Sequence, residues 1–175
     1  MARAVKQGVL DAYPEADLSL SVVWIDILAS DKRAEAITSA DILVDPRVRH
    51  FHDPKRLVGR ALAPHTGLHS MPQILERLGQ KPEALEDSFN ATYLRSPSTL
   101  FDAVFFYDSQ ARWIKQPPAP EEWVTQLDPA LYTGYDAARF RWGDDLIDEL
   151  RRLAGLVLAP DEAPSAAPAK SEDDQ

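Results

Sequence analysis

The sequence predicts an α/β domain with a mixed sheet, followed by a tail without regular structure. Two apolar runs, Leu18–Leu28 and Thr99–Tyr107, have the length and composition of strands buried in a sheet. Segments with apolar residues at helical spacing precede, separate and follow these runs. Such an alternation of strand and helix patterns is typical of α/β domains, in which helices pack against a sheet.

The first half of the chain alternates helix and strand. Ala2–Tyr13 carries an apolar stripe at helical spacing and ends at Pro14, so it predicts a helix. The strand Leu18–Leu28 follows, and then Ser30 or Asp31 is placed to cap a helix that runs to about residue 41.

A short strand and a third helix come next. Arg47–Phe51 predicts the strand, and Asp53-Pro54 closes it. Because proline suits the first turn of a helix, we expect Pro54 to begin a helix that reaches about Ala63. Residues 64–96 are irregular and are expected to form an insertion.

The second half of the chain predicts a hairpin and a closing helix. The turn residues Asp108-Ser109-Gln110 follow the second strong strand, so we expect Arg112–Lys115 to pair with it. The segment Gln116–Pro120 is too rich in proline for a sheet interior. Tyr135–Leu153 is an amphipathic helix pattern, and residues 159–175 form an acidic Pro/Ala-rich tail that we expect to be disordered.

Composition excludes several classes of function. The chain has 175 residues, no cysteine and a formal net charge of −9. Without cysteine, this chain cannot form disulfides, bind metal through thiolates or perform thiol catalysis. No basic stripe predicts nucleic-acid binding, and no segment has the length and hydropathy of a membrane span or a secretory signal. We therefore expect a cytoplasmic protein without a cofactor.

The order of elements resembles the thioredoxin-like superfamily, in the arrangement of peroxiredoxins and related bacterial reductases. Three segments support the resemblance: SVVWIDIL before a helix, RVRHFHDP before KRLVGRALA, and Pro97 before TLFDAVFFYDSQARWI. The resemblance covers about residues 2–154, and the element order supports it more than any single motif does. It implies a domain over residues 1–158 in which Pro97 is in the cis form and lines the site.

One strand of that family is missing from this chain. The family begins with a central strand and a cysteine loop, whereas this chain begins with the helix that follows them. The missing strand lies, in the family, between the equivalents of Leu18–Leu28 and Thr99–Tyr107. Two explanations remain open: either the natural protein has residues upstream of Met1 that include this strand, or the two strong strands pair directly in a form without redox activity.

The segment His50-Phe51-His52-Asp53 is the most suggestive chemical cluster. His50 and His52 share one side of a strand, and with Asp53 they form a set that could ligate zinc or iron. The more ordinary interpretation is an edge strand whose aspartate caps the next helix. His65 and His69 have a spacing of four residues, but Pro64 and Gly67 make that segment a poor helix.

Three further aspartates are candidates for structural or site-lining roles. Asp102 alternates with Leu100, Val104 and Phe106, so we expect a carboxyl group of raised pKa on an otherwise apolar face. Asp26 and Asp31 lie near the carboxyl end of the first strong strand, where α/β sheets place their ligand sites.

The sequence leaves three hypotheses about function. The first is a binding or scaffold protein without catalytic residues, which contacts a protein partner or itself through exposed strand edges. The second is a thiol-disulfide oxidoreductase or thiol peroxidase whose cysteine loop lies upstream of Met1. The third is a small metal-dependent enzyme that uses His50, His52 and Asp53.

Overall fold

The computed structural model describes residues 1–28, 30–67, 79, 99–127 and 137–158. Most of the predicted insertion and the predicted tail lie outside these ranges. No helix in the described ranges has both the length and the apolar character that crossing a bilayer requires.

Four helices and four strands make up the described structure. Helix α1 comprises an α-helical part, Ala2–Val5, and a π-helical part, Lys6–Leu10; β1 is Leu20–Ile25; α2 is Arg33–Ala40, continued by a 3-10 turn at Asp41–Leu43; and β2 is Val48–Asp53. Helix α3 is Leu57–Leu62, continued by a 3-10 turn at Ala63–Thr66; β3 is Ala103–Phe106; β4 is Glu122–Thr125; and α4 is Gly143–Leu158, preceded by a 3-10 turn at Ala137–Arg139.

The strands form two separate sheets. Strands β1 and β2 pair in parallel, with Leu20 opposite Val48 and Ile25 opposite Asp53. Strands β3 and β4 pair antiparallel, and the described strands form no pairing between the two sheets. The predicted α/β class is therefore confirmed. However, the described strands form one parallel pair and one antiparallel pair, not the single mixed sheet that the sequence predicts.

The predicted partner of β3 is wrong. Asp108 accepts hydrogen bonds from the amides of Gln110 and Ala111, at 2.7 and 2.8 Å, so the expected turn is present. However, Arg112–Lys115 forms no strand, and the pairing strand is β4, which lies beyond the proline-rich segment. Burial explains the difference, because Ile114 is 84% exposed whereas Val124 is 1% exposed.

Two predicted helix starts also need correction. Pro54 lies in a turn, and α3 begins three residues later at Leu57. Helix α2 begins at Arg33, with Lys32 at its N-cap and no side chain capping it. The Asp31 carboxylate instead accepts hydrogen bonds from backbone amides that precede it in the chain.

Helices α1 and α4 form the centre of the main core. The buried residues are Val5, Val9, Leu10, Leu43, Val124, Leu146, Leu150, Leu153 and Ala154, and apolar residues of both sheets pack on them. Helix α1 approaches α4 closely at Gly8, where a Cβ atom would lie 2.7 Å from the Ile147 carbonyl oxygen. The two separate sheets therefore share one core.

A second, smaller core lies on the other side of β3. Its buried residues are Ala63, Leu100, Trp123 and Leu127. Val104 and Phe106 of β3 pack against the main core, while Ala103 and Phe105 pack against the smaller one. Strand β3 thus has apolar contacts on both of its faces.

Arg47 connects the end of α1 to the start of β2. Its guanidinium donates to the carbonyl oxygens of Tyr13, at 2.7 Å, and Leu10, at 3.3 Å. The same group donates to the Asp45 carboxylate and lowers the pKa of Asp45 to about 2. One side chain thereby satisfies the Leu10 carbonyl in the last turn of α1, where intrahelical partners are missing, and also binds the Tyr13 carbonyl beyond the helix.

Candidate functional site

The candidate site lies at the carboxyl ends of β1 and β2. Because these strands are parallel, they bring Asp26, which follows β1, close to His52 and Asp53 of β2. The Asp26 Oδ1 atom lies 2.8 Å from His52 Nε2. The structure therefore joins two residues that the sequence suggested separately, at the edge where α/β sheets bind ligands.

His50 and His52 have different partners, although they share one face of β2. The His50 ring stacks on Trp24, whose indole N–H donates to His50 Nδ1 at 3.3 Å. His50 Nε2 also lies 3.3 Å from the Leu43 carbonyl oxygen. Both imidazole rings therefore have ring nitrogens in contact with other groups of the protein.

The described residues offer little to a metal ion. Within these ranges, no three His, Cys, Asp or Glu side chains come together as a candidate metal site. His65 Nε2 lies 3.2 Å from the carbonyl oxygen of Pro117, and His69 is outside the described residues. No observation therefore favours the hypothesis of a metal-dependent enzyme that uses His50, His52 and Asp53.

Asp53 supports the start of α3. Its Oδ2 atom accepts a hydrogen bond of 2.8 Å from the amide of Val58, in the first turn of that helix. Asp53 therefore has the structural role that the sequence analysis gave as the alternative to metal binding. It accepts a hydrogen bond from a helix amide that has no intrahelical partner.

Arg56 contributes to the site although the sequence did not indicate it. Its backbone is left-handed, with φ of 59°, and its guanidinium donates to the carbonyl oxygens of Asp26, at 2.6 Å, and Ile27, at 3.4 Å. A left-handed backbone at a residue other than glycine costs free energy, which favourable contacts around the residue must offset. The hydrogen bonds from Arg56 to the two carbonyls after β1 offset part of this cost.

Asp31 closes the loop that follows β1. Its Oδ2 atom accepts from the amides of Ile27 and Leu28, at 2.9 and 2.7 Å. The carboxylate thus fixes the backbone after the strand instead of capping α2.

Asp102 lies just before β3. The residue is exposed to solvent, although neighbouring protein atoms partly desolvate its carboxylate. Burial raises the pKa of Asp102, the amino group of Met1 opposes that rise, and the carboxylate of Asp31 adds to it. Among the described residues, no group donates a hydrogen bond to the Asp102 carboxylate.

The predicted face of Asp102 is only partly correct. Its φ of 47° is left-handed and breaks the alternation, so Leu100 packs in the smaller core whereas Val104 and Phe106 pack in the main one. The strand begins at Ala103, after this break. Pro97, predicted to line the same site in the cis form, lies outside the described residues.

Strand β1 has one edge that no described strand covers. The Leu20 amide donates to the carbonyl of Arg47, on the β2 side. Because successive residues of a strand direct their backbone groups to opposite edges, those of Ser21, Val23 and Ile25 point away from β2. The outer edge of β1 therefore presents amides and carbonyls without a partner strand among the described residues.

The outer edge of β3 likewise has no partner strand among the described residues. Asp102 and Phe106 accept hydrogen bonds from Gln126 and Glu121, on the β4 side, so the backbone groups of Ala103 and Phe105 point away from β4. All four residues of β3 are half-buried, although the strand is entirely apolar.

The end of β1 and the residues ahead of β3 both approach Gly59 of α3. The Gly59 carbonyl accepts from the amide of Leu100, ahead of β3, and a Cβ atom at Gly59 would lie 3.1 Å from Cδ1 of Ile25, the last residue of β1. The carboxyl end of β1 thus lies near the amino end of β3. We call the region between the outer edges of β1 and β3 the β1–β3 cleft.

The chain was compared with protein-family models, with curated proteins and with solved structures, and no significant match was found in any of the three.

The raised pKa of Asp102 predicts a stabilising substitution, Asp102→Asn. Where the folded-state pKa of a carboxyl group is raised, ionisation at neutral pH destabilises the folded state, and this loss fades as the pH falls towards the unfolded-state pKa. Asparagine removes the charge and tolerates left-handed backbone. We expect a small rise in the melting temperature at pH 7 that shrinks towards pH 4; a variant less stable than the wild type at pH 7 would contradict this.

Proposed function

We propose that this domain is a binding module without catalytic residues that accepts an extended polypeptide segment in the β1–β3 cleft. The observation that carries the proposal is the pair of two-stranded sheets on one core, each with an apolar strand whose outer edge has no described partner.

A thioredoxin-like arrangement of the domain is part of the proposal. Its support is the order of a parallel strand pair, an antiparallel hairpin and a closing helix, together with the outer edges of β1 and β3, which no strand among the described residues covers. The resemblance places a central strand of the family at that position.

Strand addition would satisfy both sheets at once. A two-stranded sheet is marginal on its own, and unpaired strand edges are templates for further pairing. An added strand would hydrogen-bond to the outward backbone groups of β1 and β3 and cover apolar side chains that are only half-buried, such as Val23 and Phe105. Main-chain hydrogen bonds then supply affinity, and side-chain pockets supply specificity.

The site chemistry also favours binding over catalysis by this chain. No cysteine occurs in the 175 residues. Asp31 and Asp53 hold backbone amides, and Asp26 pairs with His52. The hypothesis of an oxidoreductase with cysteines upstream of Met1 stays a prediction, which thiol counting and intact-mass measurement of the endogenous protein would test.

Replacement of Val23 with proline tests the proposed cleft. The Val23 amide points away from β2, so Val23→Pro removes a donor from the open edge without removing a hydrogen bond from the β1–β2 pair. We expect the variant to fold but to bind an extended Val/Ile-rich peptide at least about tenfold more weakly, since it loses a main-chain bond and gains a steric block. Titration calorimetry measures the binding.

Val23→Ala is the matched control for this experiment. It trims the same side chain but keeps the amide, so it should retain most of the affinity. Hydrogen exchange adds a direct readout: the amides of Val23 and Phe105 should become protected when the peptide binds. Unchanged affinity in Val23→Pro, or peptide binding without this protection, would overturn the proposed site.

A further inference from the structure

We propose that the face of the β1–β2 pair that points away from the main core binds an acidic polypeptide segment with apolar side chains. The surface consists of side chains on a sheet face, not of the outer edges of β1 and β3. The proposal therefore does not depend on a ligand in the β1–β3 cleft.

The register of the two strands defines this surface. One face of the pair packs on the main core through Val22 and Val48. Because side chains alternate along a strand, the residues next to these two point to the opposite face, where the parallel register places them side by side. We call that surface the Arg49 face; it consists of Ser21, Val23, Arg49 and Phe51.

The Arg49 face has an aromatic ring at its centre that is open to solvent. Phe51 is 52% exposed, and Ser21 and Arg49 are exposed as well. Helix α3 approaches only the carboxyl end of this face, where a Cβ atom at Gly59 would lie 3.1 Å from Cδ1 of Ile25. Aromatic residues are enriched in the cores of protein interfaces, so an apolar side chain of a partner is a suitable cover for Phe51.

Positive charge is concentrated in the part of the chain that contains Phe51. Five of the nineteen lysines and arginines lie within residues 47–60, and Asp53 is the one acidic residue of that range. The chain as a whole has a net charge of −9. Residues 47–60 are therefore opposite in sign to the rest of the protein.

Three of these five cations form no ion pair among the described residues; they are Arg49, Lys55 and Arg60. The Arg60 guanidinium donates to the backbone carbonyls of Lys55 and Arg56, which holds it beside Lys55. Arg49 precedes Phe51 by two residues along β2, a distance of about 6.5 Å. Cations thus lie before and after the exposed ring, and a segment with carboxylates on both sides of an apolar residue complements them.

Three acetylated and amidated peptides test the proposal. The first has leucine and phenylalanine between two pairs of glutamates, the second has glutamines in place of the glutamates, and the third has serines in place of the apolar residues. Titration calorimetry at low salt measures the affinity of each peptide for the full chain, because screening weakens pairs between exposed charges.

We expect the first peptide to bind at least about fivefold more tightly than the other two, and Arg49→Glu to weaken its binding by at least about fivefold, since an attractive pair becomes a repulsive one. Phe51→Ala should weaken binding as well, because it removes the apolar contact. Two matched controls should bind like the wild type: Arg3→Glu makes the same change of charge at an exposed position of α1, and Leu156→Ala truncates an exposed apolar residue of α4.

Equal affinity of Arg49→Glu and Arg3→Glu for the first peptide would overturn the proposal, and so would equal affinity of the wild type for the first and third peptides. A single-stranded oligonucleotide of the same charge that binds as tightly as the first peptide would show that the face takes nucleic acid in place of a polypeptide. Circular dichroism checks that each variant folds, and Lys55→Glu replaces Arg49→Glu if the latter does not.

Other occupants of the Arg49 face give different results in the same experiments. Dimerisation that Arg49→Glu abolishes would identify a second copy of the chain as the occupant. Tighter binding of the first peptide after removal of residues 159–175 would identify the chain's own acidic segment. Either result contradicts a separate partner. The affinity for a neutral Val/Ile-rich peptide should be the same in Arg49→Glu as in the wild type, which distinguishes this surface from the β1–β3 cleft.

Discussion

Gly59→Ala should reduce the free energy of unfolding by about 3 kcal/mol, because a side chain at this position overlaps backbone and not merely other side chains. A Cβ atom at Gly59 would collide with the Leu100 carbonyl oxygen and lie 2.9 Å from Cγ2 of the buried Thr99. Alanine favours a helix over glycine by up to about 1 kcal/mol, which is too little to offset the overlap. Urea denaturation followed by circular dichroism measures the change.

Gly155→Ala is the matched control, with the same chemical change inside α4. The nearest atom there is the Tyr13 hydroxyl oxygen, 2.7 Å from the added Cβ, and it lies at the far end of a side chain that can rotate away. We expect a change within about 1 kcal/mol in either direction, since helix propensity and the loss of the Tyr13 hydrogen bond to Arg151 oppose each other. A Gly59→Ala protein as stable as Gly155→Ala would show that α3 does not pack against the start of β3 as described.

Leu150→Ala should cost about 3 kcal/mol of stability, in the range of large-to-small core substitutions. Leu150 has 0% exposure and lies in the main core formed by α1 and α4, where the truncated side chain leaves a cavity that its neighbours fill only in part. Because both sheets pack on this core, we expect one cooperative transition that occurs at a lower urea concentration, not the loss of one sheet alone.

The same substitution on the outer face of α4 provides the comparison for Leu150. Leu156 is 55% exposed, so Leu156→Ala should change the free energy of unfolding by less than about 0.5 kcal/mol. Two transitions in the Leu150→Ala protein, seen by different spectroscopic probes, would mean that the two sheets do not share one cooperative core.

Hydrophobic patterns predicted the positions of β1 and β3. The apolar runs that contain these strands are typical of strands that pack in a sheet, although each strand is shorter than its run and its apolar residues are half-buried. Strand β4 was not predicted, because Trp113-Ile114 in the predicted strand and Trp123-Val124 in the actual strand have similar strand propensity. Only tertiary packing distinguishes them, since the second pair is buried against both cores.

The candidate site was predictable in position but not in detail. Strand ends indicated Asp26 and Asp31, yet the pairing of Asp26 with His52 depends on the register of β1 with β2. The left-handed backbone of Arg56 and Asp102 has no sequence signal comparable to that of glycine. The sequence around Gly59 predicts only a helix. The close packing that excludes a side chain at Gly59 becomes apparent only from the position of Leu100.

If a polypeptide binds the β1–β3 cleft as proposed, the thermal stability of the protein depends on the concentration of that ligand. A segment that binds only the folded chain raises the free energy of unfolding by RT ln(1 + [L]/Kd), about 2.7 kcal/mol at a ligand concentration one hundred times Kd. A thermal-shift screen of peptide libraries would then detect binding in the proposed β1–β3 cleft. Inside a cell the same linkage would make the lifetime of the protein depend on the abundance of the molecule it binds.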